Sequence, residues 1–64
     1  MAVAALEQKI ALATLAYGQM SVPELLDAIA YQERLLAEPR ASDEARAIAG
    51  RSLEVCRELV RAND

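Results

Sequence analysis

The sequence contains no histidine, no tryptophan and no phenylalanine, and its only cysteine is Cys56. Without histidine, the commonest general base is missing, and a zinc site of the usual cysteine–histidine type cannot be built within one chain. A lone cysteine excludes an intrachain disulfide and fits a reducing compartment, so we expect a cytoplasmic protein. We therefore predict that the chain is not an enzyme and binds no metal or cofactor.

Glycine and proline are scarce, with two of each. Gly18 and Gly50 stand alone, so no glycine-rich loop is available to hold a phosphate. The segment from Ile10 to Pro23 carries no charge, but it is too short to span a bilayer and lacks the basic start of a signal peptide. We expect neither a membrane span nor a targeting segment.

The charges do not favour nucleic acid as a partner. The net charge is −3, and neither half of the chain concentrates the positive charge that phosphate backbones require. Arg46, Arg57 and Arg61 share one side of the last third of the chain, but Glu54 and Glu58 lie close to them. Binding of nucleic acid through these arginines is the weaker alternative.

A chain of 64 residues forms one small domain, residues 1–64. Below about 70–80 residues, a single hydrophobic core rarely supplies more than about 3–5 kcal/mol, and small proteins add disulfides, metals or oligomerisation. The first two are excluded here. The composition is 55% hydrophobic with only two aromatic residues, Tyr17 and Tyr31, which offers little bulk for an isolated core. We therefore predict a homodimer.

Apolar spacing predicts three helices, over about 2–17, 21–38 and 42–62. The first is apolar nearly all round, and a helix of this kind requires burial on more than one side. We expect Gly18 to end it in the left-handed conformation. One apolar stripe repeats at helical spacing along this helix: Val3, Leu6, Ile10, Ala13 and Tyr17.

The second and third helices carry clear signals at their ends. Ser21 and Glu24 form an S-x-x-E capping box, Ser42 can cap the third helix, and Pro39 forbids continuation of the second. The predicted apolar face of the second helix comprises Val22, Leu25, Leu26, Ile29 and Leu36. On the third helix, Glu54 with Arg57 and Glu58 with Arg61 are predicted ion pairs.

The predicted fold is all-α. Because short links favour antiparallel neighbours, residues 21–38 and 42–62 are expected to form an antiparallel hairpin, with the apolar N-terminal helix beside it and homodimerisation completing the core. A seam of small residues on the third helix would let another helix approach closely: Ala45, Ala49, Ser52 and Cys56. Cys56 is interpreted as a small core residue of this seam.

The predicted function is a protein–protein interaction factor, a small dimeric regulator or inhibitor of the antiactivator type, of bacterial or phage origin, that docks helices onto a larger protein. The alternative is a co-chaperone-type hairpin that shields a secretion-system subunit. The predicted partner-binding residues lie near the first turn and on the outer side of the second helix: Leu12, Leu15, Tyr17, Met20, Tyr31 and Leu35.

Residues 15–29 resemble the first part of a winged-helix DNA-binding domain. In both, a helix ending in glycine is followed by Ser-Val-x-Glu-Leu at the start of the next helix, here Ser21 to Leu25. The resemblance implies a helix-turn-helix, yet residues 30–36 continue the same helix where the family has a turn and a recognition helix. A DNA-binding regulator with a degenerate helix-turn-helix is therefore a less favoured function.

Overall fold

The computed structural model describes residues 2–63, with side chains from residue 5 onward. It is all-helical over this range: α1 spans Ala2–Tyr17, α2 spans Val22–Ala37 and α3 spans Asp43–Ala62. The predicted bounds of all three helices are confirmed to within one residue. Val3, at the start of the predicted α1 stripe, lies outside the described side chains.

The helix caps form as predicted. The Ser21 hydroxyl accepts a hydrogen bond from the Glu24 backbone N–H, and the Glu24 carboxylate accepts one from the Ser21 N–H at 2.9 Å. The Ser42 hydroxyl accepts from the Ala45 N–H at 3.0 Å. Glu38, which precedes Pro39, is extended at φ −77° and ψ 117°, because a residue before proline is disfavoured in the helical region.

The end of α1 corrects one expectation. The helix does stop at Tyr17, but Gly18 does not adopt the left-handed conformation, and no residue of the described range has positive φ. The last turn instead tightens: the N–H of Gln19 bonds to the carbonyl of Ala16, and the N–H of Met20 bonds to that of Tyr17. These shorter-range bonds satisfy carbonyls at the helix end without a left-handed residue.

Helix α3 lies in the middle of the structure. It packs most extensively on α2 and less extensively on α1, whereas α1 and α2 contact each other only marginally. The Cα atoms span 36 × 25 × 13 Å. The helices therefore lie side by side in the order α1, α3, α2, and within residues 2–63 no helix covers the side of α1 that faces away from α3.

Among the side chains that the structure describes, from residue 5 to residue 63, the buried ones belong to α2 and α3. Leu25 of α2 is packed with Ala49, Leu53 and Cys56 of α3 as the buried apolar core, and Gln32 and Ser52 are buried with them. Ala45, at the start of the predicted seam, is half-buried. Three of the four seam residues are thus enclosed within the single chain.

Ion pairs on the surface connect the helices. Lys9 Nζ lies 2.6 Å from the Glu44 carboxylate, joining α1 to the first turn of α3. Arg57 pairs with Glu33 across α2 and α3 at 3.0 Å, so the predicted pair with Glu54 is wrong. The predicted pair of Glu58 with Arg61 is confirmed at 3.4 Å. Exposed pairs of this kind contribute about 0–1 kcal/mol each.

Enlarging Ala49 is expected to destabilise the packing of α3 against α2. Ala49 is 2% exposed, and extra methylenes in a packed core cost about 1–3 kcal/mol. Urea denaturation of Ala49→Leu at fixed protein concentration should show that loss. Ala47→Leu, on an exposed position of the same helix, is the control and should change stability little. Equal stability of the two variants would contradict this packing.

The capping box at α2 is expected to make stability depend on pH. The Glu24 carboxylate accepts hydrogen bonds from the backbone N–H and from the hydroxyl of Ser21. Both bonds, the backbone one more strongly, lower the pKa of Glu24 below its usual value of 4.5. A carboxyl whose pKa is lower folded than unfolded contributes its stabilisation in full above the unfolded value. That contribution is lost as the pH falls through the lowered pKa.

Glu24→Gln keeps an oxygen acceptor at the same position but cannot titrate. The difference in thermal midpoint between the wild type and Glu24→Gln should therefore shrink as the pH is lowered from 6 towards about 3. A difference that stays constant over this range would contradict the assigned role of the ionised carboxylate.

Candidate protein-binding surfaces

Helix α1 exposes large apolar side chains. Leu12 is 62% exposed and Leu15 is 68% exposed, and Ala5, Ala11 and Ala16 of the same helix are exposed as well. Only the side of α1 towards α3 is covered, with Leu6, Ile10 and Ala13 half-buried. The structure therefore brings Leu12 and Leu15 of the predicted partner-binding set together on one helix that is open to solvent.

An open groove of about 750 Å³ runs along the flank of α1 beside α3. Its α1 wall comes from residues four apart, which form a continuous strip on a helix. Leu12 does not line it. The Thr14 hydroxyl donates to the Ile10 carbonyl at 2.8 Å, so its hydrogen-bonding capacity is met within the helix. The groove residues are Leu6, Glu7, Ile10, Ala11, Thr14, Leu15 and Arg51.

A second, shallower groove of about 320 Å³ lies on α2. Tyr31 and Leu35, the two predicted partner-binding residues of this helix, line it together with Arg34 and Glu38. Tyr31 is 57% exposed, whereas Leu35 is half-buried. Aromatic residues are enriched in protein interfaces, whose rims are polar, so this groove is a candidate binding surface.

The two predicted residues at the turn between α1 and α2 are less accessible. Tyr17 and Met20 are both half-buried. The Tyr17 hydroxyl accepts a hydrogen bond from the Gln32 side-chain amide at 2.6 Å. Tyr17 thus connects the end of α1 to the middle of α2, a contact within the chain.

Gln32 brings polar groups into the core. It is 2% exposed, and its Oε1 atom has no hydrogen-bond partner among the described residues, as is also true of the Ser52 hydroxyl. Cys56 is fully buried as a free thiol. Burial raises the pKa of the Cys56 thiol, and the neighbouring Gln32 amide works in the opposite direction. A buried thiol with a raised pKa is a poor nucleophile.

The arginines considered for nucleic-acid binding are engaged within the chain. Arg46 donates to the Glu38 carbonyl at 2.9 Å and to the Pro39 carbonyl at 3.3 Å. Arg57 and Arg61 pair with glutamates. The helix-turn-helix resemblance also weakens, because α2 continues unbroken to Ala37.

On α2, the burial of three residues differs from the sequence prediction or was not foreseen. Leu26 and Leu36 were predicted on the apolar face of α2, yet they are 52% and 37% exposed. The burial of Gln32 was not predicted. Gln32 follows Leu25 by seven residues and Ile29 by three, so the three side chains lie on the same side of α2. That spacing, on a glutamine in an apolar face, is the signal that could have identified it.

Comparisons with protein families, with curated proteins and with solved structures find no significant match. Within residues 2–63, no group of three or more potential ligands is placed to hold a metal ion. None of the described helices is both long enough and apolar enough to cross a bilayer.

Removing the Tyr17 hydroxyl is expected to destabilise the fold. Tyr17→Phe leaves the buried Gln32 amide without its acceptor, and an unpaired buried polar group costs about 1–3 kcal/mol. Tyr31→Phe is the matched control, because the Tyr31 ring is exposed and its hydroxyl has no partner within the described residues. Chemical denaturation of both variants measures the difference.

The double variant Tyr17→Phe, Gln32→Leu should recover much of that loss, since replacing both partners with apolar groups leaves nothing unpaired. Equal effects of the two tyrosine substitutions would contradict a stabilising Tyr17–Gln32 bond.

Proposed function

We propose that the chain is a non-enzymatic protein-interaction factor, a small dimeric helical regulator or inhibitor of the antiactivator type. It binds a larger protein through apolar side chains of its helices. One observation carries the proposal: large apolar side chains from two helices are more than one-third exposed in a chain of only 64 residues. These are Leu12, Leu15, Leu26, Tyr31 and Leu36. Contiguous exposed apolar patches mark interaction surfaces; on α1, Leu12 and Leu15 lie three residues apart, and on α2, Tyr31 lies beside Leu35.

The surface of α2 is assigned to the larger protein. Tyrosine is enriched among residues that dominate binding energy, and Tyr31 projects beside Leu35 in a shallow groove. Arg34 and Glu38 line the same groove and supply the polar rim that surrounds the apolar centre of a protein interface. The exposed Leu26 belongs to the same helix.

The frame that supports this surface is an antiparallel hairpin of α2 and α3. Two features support that arrangement: the link of residues 38–42 is short, and the Arg46 guanidinium bonds the carbonyls of Glu38 and Pro39 at the end of α2. The contact of α2 with α3 is the most extensive between helices of the described chain, and it positions the outer side of α2.

A role without catalysis agrees with the chemistry of the described residues. The thiol is enclosed and has a raised pKa, every glutamate and aspartate from residue 5 to residue 63 is exposed, and the grooves are open to solvent. A site for acid–base or nucleophilic catalysis brings such groups together in a concave pocket, with mutual geometry suited to proton transfer or attack. A buried free cysteine also fits a reducing compartment, and we assign the protein to the cytoplasm.

The test is to identify the larger protein and measure its dependence on Tyr31. The tagged chain is cross-linked in the cells that encode it, in parallel with Tyr31→Arg and with Glu54→Arg, an exposed change on α3. A partner retained by the wild type and Glu54→Arg but lost by Tyr31→Arg is then purified. Tyr31→Ala should weaken its Kd at least about tenfold, as expected for a binding hot spot.

Capture that is the same for all three chains, with a Kd that Tyr31→Ala leaves unchanged, would contradict the assignment of this surface. A partner that proves to be an exported subunit, bound in its unassembled form, would support the co-chaperone alternative instead.

A further inference from the structure

We infer that the groove between α1 and α3 is a homodimer interface, in which two copies of the chain meet about a twofold axis and Glu7 of each copy pairs with Arg51 of the other. The inference deepens the proposed function, on whose dimeric form it rests. It concerns the groove of α1 and α3 and leaves the Tyr31 surface of α2 free for the larger protein.

The exposed area supports a second copy as the occupant. The chain exposes 4717 Å², whereas a folded monomer of 6.9 kDa is expected to expose about 4,000 Å². The surplus is roughly 700 Å², close to the approximately 800 Å² that each partner buries in a standard protein interface. The helices lie side by side with α3 in the middle, and a second copy supplies the packing layer that this arrangement lacks.

The charge pattern of the groove allows self-association. In a twofold dimer the same patch is used on both subunits, so a patch of one charge would repel its own copy. From Ile10 to Pro23 the chain has no charge. The two charged groove residues, Glu7 and Arg51, have opposite signs and form no ion pair with each other within the described chain. A second copy can therefore pair each of them without repulsion in between.

The position of Arg51 determines how the copies must lie. Lys9 contacts Glu44 in the first turn of α3, whereas Tyr17, at the end of α1, bonds Gln32, the neighbour of the Glu33 that pairs with Arg57 further along α3. The two helices therefore run in the same direction, and Arg51, about two helical turns after Glu44, lies beside the C-terminal half of α1. On the α1 wall, the groove runs from Leu6 to Leu15. If two α1 helices pack antiparallel about the middle of that strip, Glu7 of one copy faces Thr14 of the other, in the groove that Arg51 lines.

The same register matches the apolar residues. Leu15 of one copy enters beside Leu6 of the other, and Ala11 lies at the centre of the strip, where its small side chain lets the two helices approach closely. Leu12, although equally a leucine exposed on α1, lies outside the groove. If association were driven by nonspecific apolar contact, both leucines would contribute to it. In the proposed interface, only Leu15 of the two is buried against the second copy.

The test is a charge exchange. Sedimentation equilibrium at micromolar concentration should show a wild-type dimer. Arg51→Glu and Glu7→Arg should each weaken dimerisation at least about tenfold at low salt, since each turns two attractive contacts into repulsive ones. An equimolar mixture of the two variants should restore dimers, observed as the mixed species by native mass spectrometry, because both of its cross-pairs again join opposite charges.

Leu15→Ser and Leu12→Ser form the matched pair for the apolar part. Leu15→Ser should weaken the dimer at least about tenfold, whereas Leu12→Ser should leave its dissociation constant nearly unchanged. All four substituted positions are exposed, and unchanged circular dichroism will show that each variant remains folded.

The outcomes separate this inference from the proposed function. This interface is overturned if the wild type is a dimer but the charge substitutions leave its dissociation constant unchanged, or if the mixture of the two variants forms no mixed dimer. Either result leaves Tyr31-dependent binding of the larger protein unaffected. A wild type that is a folded monomer at micromolar concentration overturns both the interface and the dimeric form of the proposed function. Loss of Tyr31-dependent binding with a working charge exchange overturns only the assignment to the larger protein.

Discussion

The close contact of α3 with α2 through small side chains is the interaction on which the rest of the structure depends. Ala49, Ser52 and Cys56 present little volume, so the two helices can approach closely and enclose Leu25 and Leu53 between them. Small side chains also bury little apolar area, and burial contributes about 25 cal/mol per Å². The core is therefore narrow, and the buried apolar area contributes only modestly to the free energy of unfolding.

The position of α1 follows from that narrow core. It packs on α3 and contacts α2 only marginally, so its other sides remain open. A polar bond, from Gln32 to Tyr17, and an exposed ion pair, from Lys9 to Glu44, help to orient it. Leu12 and Leu15 of this helix are left in solvent. The narrow core thus leaves on α1 the apolar surface on which the proposed self-association depends.

Local chemistry made the helices predictable. Ser21, Glu24 and Ser42 form their caps by bonds that span only three residues, and Pro39 acts on the residue before it. Such signals predict where a helix begins or ends without any information on the neighbouring helices. The end of α1 at Tyr17 was predicted correctly, but its cause was not. A left-handed Gly18 was expected, whereas a tightened last turn ends the helix, and either structure can do so.

Residue spacing alone placed the helices, their caps and the apolar character of α1, because these depend on groups within one or two turns. Only the tertiary structure decided which apolar residues are enclosed. Leu26 and Leu25 are adjacent in sequence, yet α3 covers Leu25 and leaves Leu26 in solvent. The partner of Arg57 was decided in the same way, since Glu33 of another helix lies within its reach. A helix repeats every 3.6 residues whatever packs on it, so its periodicity defines a face but cannot state how much of that face a neighbour will cover.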